Sequence, residues 1–447
     1  MSVQPTGAMH EVGVDQLFFS TTDGRGIITQ ANQVFTDLAR LPIDALVGHP
    51  HNVVRHPEMP GAAFRIVWDM LQAGKPTCAY VKNLAGDGST YWTFATMTPL
   101  GDGYLSVRSR PSAPRLQRVA DDLYAAVLQG EQEERNAGVR RAEAAEHGSV
   151  RLVEGLAPFG FETYEEFIRQ ALPAEVAART SQSQGLPPRP GATGKFGLLL
   201  DLVGDVARNV AGLGLELTAG HGLADELVVD VARARDTLDD LAATIGRMSA
   251  EIEAVRDRTP ALALTAPKLA ARCERVAESL NAVQESVLRM RDLRAELRFS
   301  VALAQLQSEA MGQFVLGVID GLEDEATTDH ALESLAAALR DGLRRANEDL
   351  GRDSEAAVAL HDQIVVADEE IARTRLLLNR WREMAAADLQ QTVPQMDAAL
   401  AALGAVEDLT RGTERLAQST IGFDADATDG LLSRVERLAA TRAVPVS

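Results

Sequence analysis

At 447 residues the chain is long enough for two or three domains, and its 46% hydrophobic and 24% charged content is that of a globular protein. The formal charge of −20 is unevenly spread: nine acids and nine bases cancel up to Arg115, leaving 55 acids and 35 bases beyond it. An acidic tail repels phosphate backbones and anionic lipid, which argues against direct nucleic-acid binding and against docking on a membrane surface.

Two distant cysteines, Cys78 and Cys273, suggest neither a disulfide scaffold nor a cysteine-based zinc site. The opening MSVQPTGAMHEVG lacks the basic-then-apolar order of a signal peptide. The best candidate for a membrane span, residues 195–219, is interrupted by Asp201, Asp205, Arg208 and Glu216. A bilayer helix needs about 20 nearly uncharged residues, so a cytosolic protein is expected.

Half of the twenty aromatic residues precede Arg115, and strand-prone sequence gathers there too. Residues 17–22 and 27–30 are β-prone and joined by Asp23-Gly24-Arg25-Gly26, a hairpin signal. Short helices are expected over 33–40, 43–47 and 61–72, the last stopped by Gly74. Three further strands follow over 77–83, 91–99 and 104–108, separated by Gly86-Asp87-Gly88 and Gly101-Asp102-Gly103. Two strands, a helical middle and three meandering strands predict an α+β domain over 1–114, a five-stranded antiparallel sheet with helices on one face, which a PAS fold fits.

Pro111-Ser112-Ala113-Pro114 closes that domain, and the texture changes to Ala, Leu, Arg and Glu. Residues 115–180 read as a helical connector with a break over 155–160, and 181–194 as a flexible linker. Beyond it, 195–447 reads as an all-α coiled-coil or helical-bundle transmitter. Leu227, Val231, Ala234, Leu238, Leu241, Ile245, Met248, Ile252 and Val255 step alternately by four and three. Leu269, Cys273, Val276, Leu280, Val283, Val287 and Met290 do the same, with Leu297 and Val301 resuming after Arg294. Such seams imply packed long helices and, because an isolated seam must be buried, a homodimer. Pro260 and Pro267 predict a break between the two seams, suited to a turn into an antiparallel partner. Looser seams run through Leu332, Leu335, Leu339 and Leu343, then Leu360, Ile364, Ala367 and Ile371, and Pro394 is expected to interrupt the last helix.

The chemistry concentrates in 48–60, GHPHNVVRHPEMP. His49, His51 and His56 invite a metal reading, but Pro50, Pro57 and Pro60 make a kinked loop without the fixed carboxylate-supported geometry of a metal site. The plainer expectation is no metal and histidines that bond backbone groups.

Specific motifs then accumulate in order: Ala31-Asn32, Pro50-His51-Asn52, Arg55-His56-Pro57, Met59-Pro60, Val81-Lys82-Asn83, Tyr91-Trp92 and the closing Gly103-Tyr104-Leu105-Ser106-Val107-Arg108. Across about a quarter of the chain this string resembles the PAS domain of bacterial aerotaxis receptors, which bind FAD and sense oxygen indirectly through cellular redox state. The resemblance implies a cofactor site drawn from Asn32, Arg55, His56, Glu58, Thr77, Asn83 and Trp92. Two of these depart from the family, which usually has tryptophan where this chain has Thr77 and aspartate where it has Glu58. Asn83 and Thr77 share parity on one strand, so their side chains should face the same way, into the pocket. Haem is the other usual PAS cofactor, with His51 or His56 as its ligand, and a cofactor-free PAS scaffold mediating protein association is the alternative.

The helical half resembles a chemoreceptor less, because the tip that binds the coupling protein and histidine kinase is not found. Residues 297–322 are either a divergent counterpart of that tip or, more plainly, a core helix burying Phe299, Leu303, Leu306 and Phe314. Glu369-Glu370 reads as solvated helix surface rather than a methylation site. No phosphate loop, nucleophile elbow, kinase or cyclase signature occurs. The expectation is therefore a non-enzymatic cytoplasmic signalling protein, with chemotaxis machinery as the partner the resemblance implies.

Overall fold

The computed structural model describes residues 3–254, 257, 260–388, 394, 397 and 425–440. Five strands, β1 (Phe18–Asp23), β2 (Ile28–Ala31), β3 (Thr77–Leu84), β4 (Thr90–Leu100) and β5 (Gly103–Ser109), form one antiparallel sheet ordered β2-β1-β5-β4-β3. The β1–β2 turn closes because an Asp23 carboxylate oxygen accepts the backbone N–H groups of Arg25 and Ile27, both at 2.9 Å. Gly26 supplies the left-handed φ of +79° that the turn needs. Between β2 and β3 lie α1 (Gln33–Ala39), α2 (Ile43–Leu46), a 3₁₀ turn (His51–Val54) and α3 (Gly61–Gln72).

Both faces of the sheet are covered. Strand alternation sends Phe18 to the inner face, where it stacks on Phe35 of α1 at 4.6 Å between ring centroids. Its neighbour Phe19 points outward and meets Phe314 edge-on at 4.9 Å. The expected one-sided layer is therefore a two-sided one. The outer covering comes partly from α4 (Pro114–Asn136) and α6 (Tyr164–Gln182), while α5 (Arg141–Glu154) packs on α3 and α4; together they fill 115–180 and fold back onto the domain. Buried Glu175 of α6 accepts the Tyr80 hydroxyl at 2.6 Å and the backbone N–H groups of Ser112 and Ala113, so one carboxylate joins β3, the start of α4 and α6. Tyr164 donates to the Cys78 carbonyl at 2.9 Å.

Among the described residues four more helices follow: α7 (Gly194–Ala254), α8 (Pro260–Ile319), α9 (Glu325–Asp388) and α10 (Ala425–Ala439). The chain divides into two compact units, Met1–Gly214 with Arg298–Asn347 and Phe423–Ser447, and Leu215–Leu297 with Glu348–Gly422. In the first unit the end of α8 lies on the outer face of the sheet, and Phe299, Leu303, Leu306 and Phe314 are all buried, as the plainer reading of that helix expected. Polar bonds fasten it there: the Leu17 N–H donates to Gln313 Oε1 at 3.0 Å, and Gln307 Nε2 donates to Thr98 Oγ1 at 3.3 Å. The 181–194 stretch is tied to the residue just past the end of that helix by the Arg189–Asp320 ion pair, at 2.7 and 2.9 Å.

In the second unit the seams of α7, α8 and α9 bury one another within a single chain. Burial of those seams therefore requires no second copy, which removes the packing argument for a dimer. The Pro267 expectation is corrected: α8 runs through it, because Ala263 and Leu269 on either side are held in the bundle core. The side chains of Leu238, Leu241, Ile252 and Val255 lie outside the described residues, as do the residues flanking Pro394. Glu370 is not plain solvated surface but an ion-pair hub for Arg373, Arg272 and Arg275. Among the described residues no helix is long and apolar enough to cross a membrane.

Candidate functional site

A cleft of about 350 Å³ opens between α3 and the inner face of the sheet. Helix α3 supplies Phe64, Val67, Trp68 and Leu71, one helical face, while β3 supplies Ala79, Val81 and Asn83, every second residue. Strand β5 adds Tyr104, Ser106 and Arg108 by the same alternation. The 3₁₀ turn after Pro50 contributes His51 and Asn52, and Arg55 follows it.

Arg55 is placed by a backbone bridge to Asn83 and by a hydrogen bond from the His56 N–H to the Lys82 carbonyl at 3.3 Å, so the kinked loop is stitched to the edge of β3. Its guanidinium donates to the Met59 carbonyl at 2.8 Å and lies 4.2 Å from the centroid of the Phe64 ring. Burial, with the nearby Arg141 charge, brings the Arg55 pKa down to about 10. The Asn83 amide donates to the Val81 carbonyl at 3.2 Å and to Thr93 Oγ1 at 3.1 Å, which fixes its rotamer beside the cleft.

Of the seven residues expected at a cofactor site, Arg55 and Asn83 line this cleft. The others sit elsewhere, each for a local reason. Asn32 is the N-cap of α1, accepting the N–H groups of Phe19 and Phe35 and donating to the Leu17 carbonyl. His56 points to β4, with Nε2 3.2 Å from Thr90 Oγ1 and Nδ1 accepting the Glu58 N–H, so the ring proton is on Nε2. Glu58 pairs with Lys82, and that contact holds its carboxyl below the usual range. Trp92 opposes Lys82 in the ladder, not Asn83, so pleating turns it to the other face of the sheet. Thr77 shares the inward parity of Asn83 but lies beyond the end of the cleft, bonded to Met70 Sδ at 3.3 Å.

Two lining features were not singled out beforehand: the aromatic wall of Phe64, Trp68 and Tyr104, and above all Arg108. The signal for Arg108 was present, since a lone arginine at inward parity in GYLSVRS, on a strand central to the sheet, has no water to face. It is 6% exposed, its Nη1 donates to His51 Nε2 at 2.7 Å, and its Nε has no partner among the described residues. Burial and the Arg108 charge hold His51 well below its ordinary pKa, so His51 is a neutral acceptor. The loop histidines thus bond side chains as well as backbone. Among the described residues no cluster of His, Cys, Asp or Glu is arranged to hold a metal.

An apolar slot with flat aromatic walls, one buried and one half-buried guanidinium and an amide, lined by no acidic side chain, is suited to a planar ligand with acceptor or anionic groups. The unpartnered Nε of Arg108 is an unused donor within it, and in these respects the residues fit a flavin.

No protein-family model matches the chain. Its N-terminal part is 38% identical over 121 residues to the aerotaxis receptor of Escherichia coli (strain K12), a match covering 26% of this chain and 24% of the receptor. The chain therefore matches about a quarter of that relative's length. Among solved structures, the light state of the blue-light photoreceptor Aureochrome1 LOV is 24% identical, covering 26% of this chain and 90% of that one at a TM-score of 0.21. A light-oxygen-voltage domain studied with a flavin analogue is 26% identical, covering 27% and 89%, also at 0.21. Strand order, the helical layer and the aerotaxis-receptor match agree on one identification. The N-terminal domain of this chain is a PAS domain related to that of an aerotaxis receptor.

Proposed function

We propose that this chain is a cytosolic, non-enzymatic sensor whose PAS cleft holds FAD and which reports redox state or oxygen through its helices. One feature carries this reading: a cleft whose charged lining is wholly cationic, set between aromatic and aliphatic walls. FAD would supply reversible electron uptake. Arg55 and Arg108 would meet its phosphates or its ring edge, Asn83 would orient it, and Phe64 and Trp68 would exclude water from its faces.

The response has physical routes within the same unit. Helix α3 walls the cleft and is tied to α4, while the outer face of the sheet bears on α8 through Phe19 and Phe314. A ligand that favours one packing of these elements shifts their population. The output partner we propose is the chemotaxis coupling protein or histidine kinase, supported by the relation of the PAS domain alone. The absorbance spectrum of freshly purified protein tests the cofactor. Flavin bands in the blue are expected, whereas a haem spectrum, or a bare protein spectrum unchanged by added FAD, would leave the cofactor-free scaffold as the better reading.

A further inference from the structure

We propose that Arg108, braced by His51, forms an anion-receiving subsite at the inner end of the cleft, built to hold a negatively charged group of the bound ligand. This rests on the flavin reading above only for the ligand's identity. Arg108 stands on β5 opposite Phe18, whose ring lies 4.8 Å from the guanidinium carbon, with the Phe35 ring at 6.0 Å. These contacts fix the plane of the group but do not neutralise it. His51 accepts one N–H and, being neutral, cannot serve as counter-ion.

No carboxylate pairs with Arg108 among the described residues, and its Nε–H is buried without an acceptor. The Tyr91 hydroxyl, which feels the Arg108 charge, is buried without a partner as well. A cation with an unused donor therefore stands in a cleft lining that holds no acidic side chain. Buried arginines kept for structure are paired, because an unpaired buried charge is strongly unfavourable. An anion brought by a ligand would remove that penalty, and it would gain charge-assisted hydrogen bonds in return.

Two sources of the anion share this chemistry. One is a permanently charged phosphate or carboxylate. The other is the ring edge of a flavin, which becomes negative on taking up two electrons and one proton. Full-length protein carrying Arg108→Gln, with fold checked by circular dichroism, separates them. Arg108→Met, which keeps the packing of the stem, replaces it if Arg108→Gln does not fold. In a dithionite titration of flavin-loaded protein, a ring-edge contact predicts at least tenfold weaker binding of reduced relative to oxidised flavin. That is a midpoint about 30 mV more negative than wild type for a two-electron couple.

A phosphate contact instead predicts that the preference for FMN over riboflavin, which differ by one phosphate, falls at least tenfold in the variant. Either result sustains the subsite and names its occupant. An unchanged midpoint together with an unchanged preference overturns the subsite, while retained flavin leaves the sensor reading standing. If wild type takes up no flavin, that reading falls, and formate and inorganic phosphate decide the subsite alone. A rise in melting temperature in wild type that is absent from the variant sustains it, and equal responses overturn it.

Discussion

Replacing Asp353 by alanine tests what holds the second unit in register. Arg294 takes the seam position between Met290 and Leu297 and is 2% exposed, with Asp353 at 4%. Arg294 Nε and Nη2 donate to the two Asp353 oxygens at 2.8 and 2.9 Å, and Nη1 donates to the Gly220 carbonyl at 2.7 Å. One polar layer thus joins α7, α8 and α9 inside an otherwise apolar core. Removing one partner leaves a buried charge uncompensated, which costs about 3–5 kcal/mol. With a urea slope of about 2–3 kcal/mol per molar, the helical unfolding midpoint should fall by roughly 1–2.5 M. The double change Arg294→Met with Asp353→Leu removes both charges and should recover most of that loss, since apolar replacement of a buried pair is often neutral or stabilising. Far-UV circular dichroism of the full chain in urea gives all three midpoints. A single variant within about 0.5 M of wild type, or a double variant no better than the single, would show that the pair does not carry the layer.

The other expectations concern the seam, the cleft and pH. Leu280 is fully buried, so Leu280→Asp should cost at least as much as an ordinary core truncation, about 2–5 kcal/mol. Helicity should fall while any cofactor spectrum persists; unaltered helicity would mean the register is wrong. Arg55→Ala and Asn83→Ala should each lower flavin occupancy at normal circular dichroism, and occupancy retained in both would take them out of the site. Burial depresses the pKa of His51 well below 6.5 and lowers that of His56. Their contribution to stability is thus present above 6.5 and lost as pH falls towards the folded-state values. The melting temperature of the PAS domain should therefore decline below pH 6.5, less steeply in His51→Gln; an identical decline in that variant would acquit His51.

What the sequence revealed depended on how local the determinant was. Helix α3 falls where it was read because Pro60 precedes it and Gly74, with φ +74°, ends the chain's turn after it. All five strands were legible from glycine turns and β-branched runs, to within a residue or so at each end. Seams repeating every seven residues located the cores of α7, α8 and α9 and suited an antiparallel turn, but did not show that one chain would bury all three without a second copy, since partner choice is not encoded in a single seam. Pro267 misled because bundle packing outweighed a local rule. Strand parity and the loop motif sufficed to place Asn83 and Arg55 at the cleft. Trp92 lies on the other face because motif adjacency ignores pleating, and Asn32 caps α1, a role that looks like a ligand contact in sequence. Arg108 was legible as a lone arginine at inward parity on a central strand, but not the lack of an acid around it, which depends on the packing of segments distant in sequence.

Glu131 shows how a cleft made of local motifs becomes connected to the rest of its unit. It lies on α4, is buried, and accepts the Gly61 and Ala62 N–H groups at 2.8 and 2.7 Å. It therefore caps from outside the first turn of α3, which has no N-cap hydrogen bond from its own Pro60. Helix α3 carries the aromatic wall of the cleft, so a ligand that shifts α3 must either carry α4 with it or stretch two charge-assisted bonds. Glu131→Gln keeps the shape but offers one acceptor oxygen where two donors wait. Loss of one such bond should cost about 1.5–3 kcal/mol. The informative assay is hydrogen exchange over Pro114–Asn136 with and without bound flavin. Wild type should show a ligand-dependent change in protection there, and Glu131→Gln should reduce it while the ligand still binds. If the change survives in Glu131→Gln at full occupancy, the carboxylate is only a cap and the cleft communicates by the other face of the sheet, through Phe19 and Phe314.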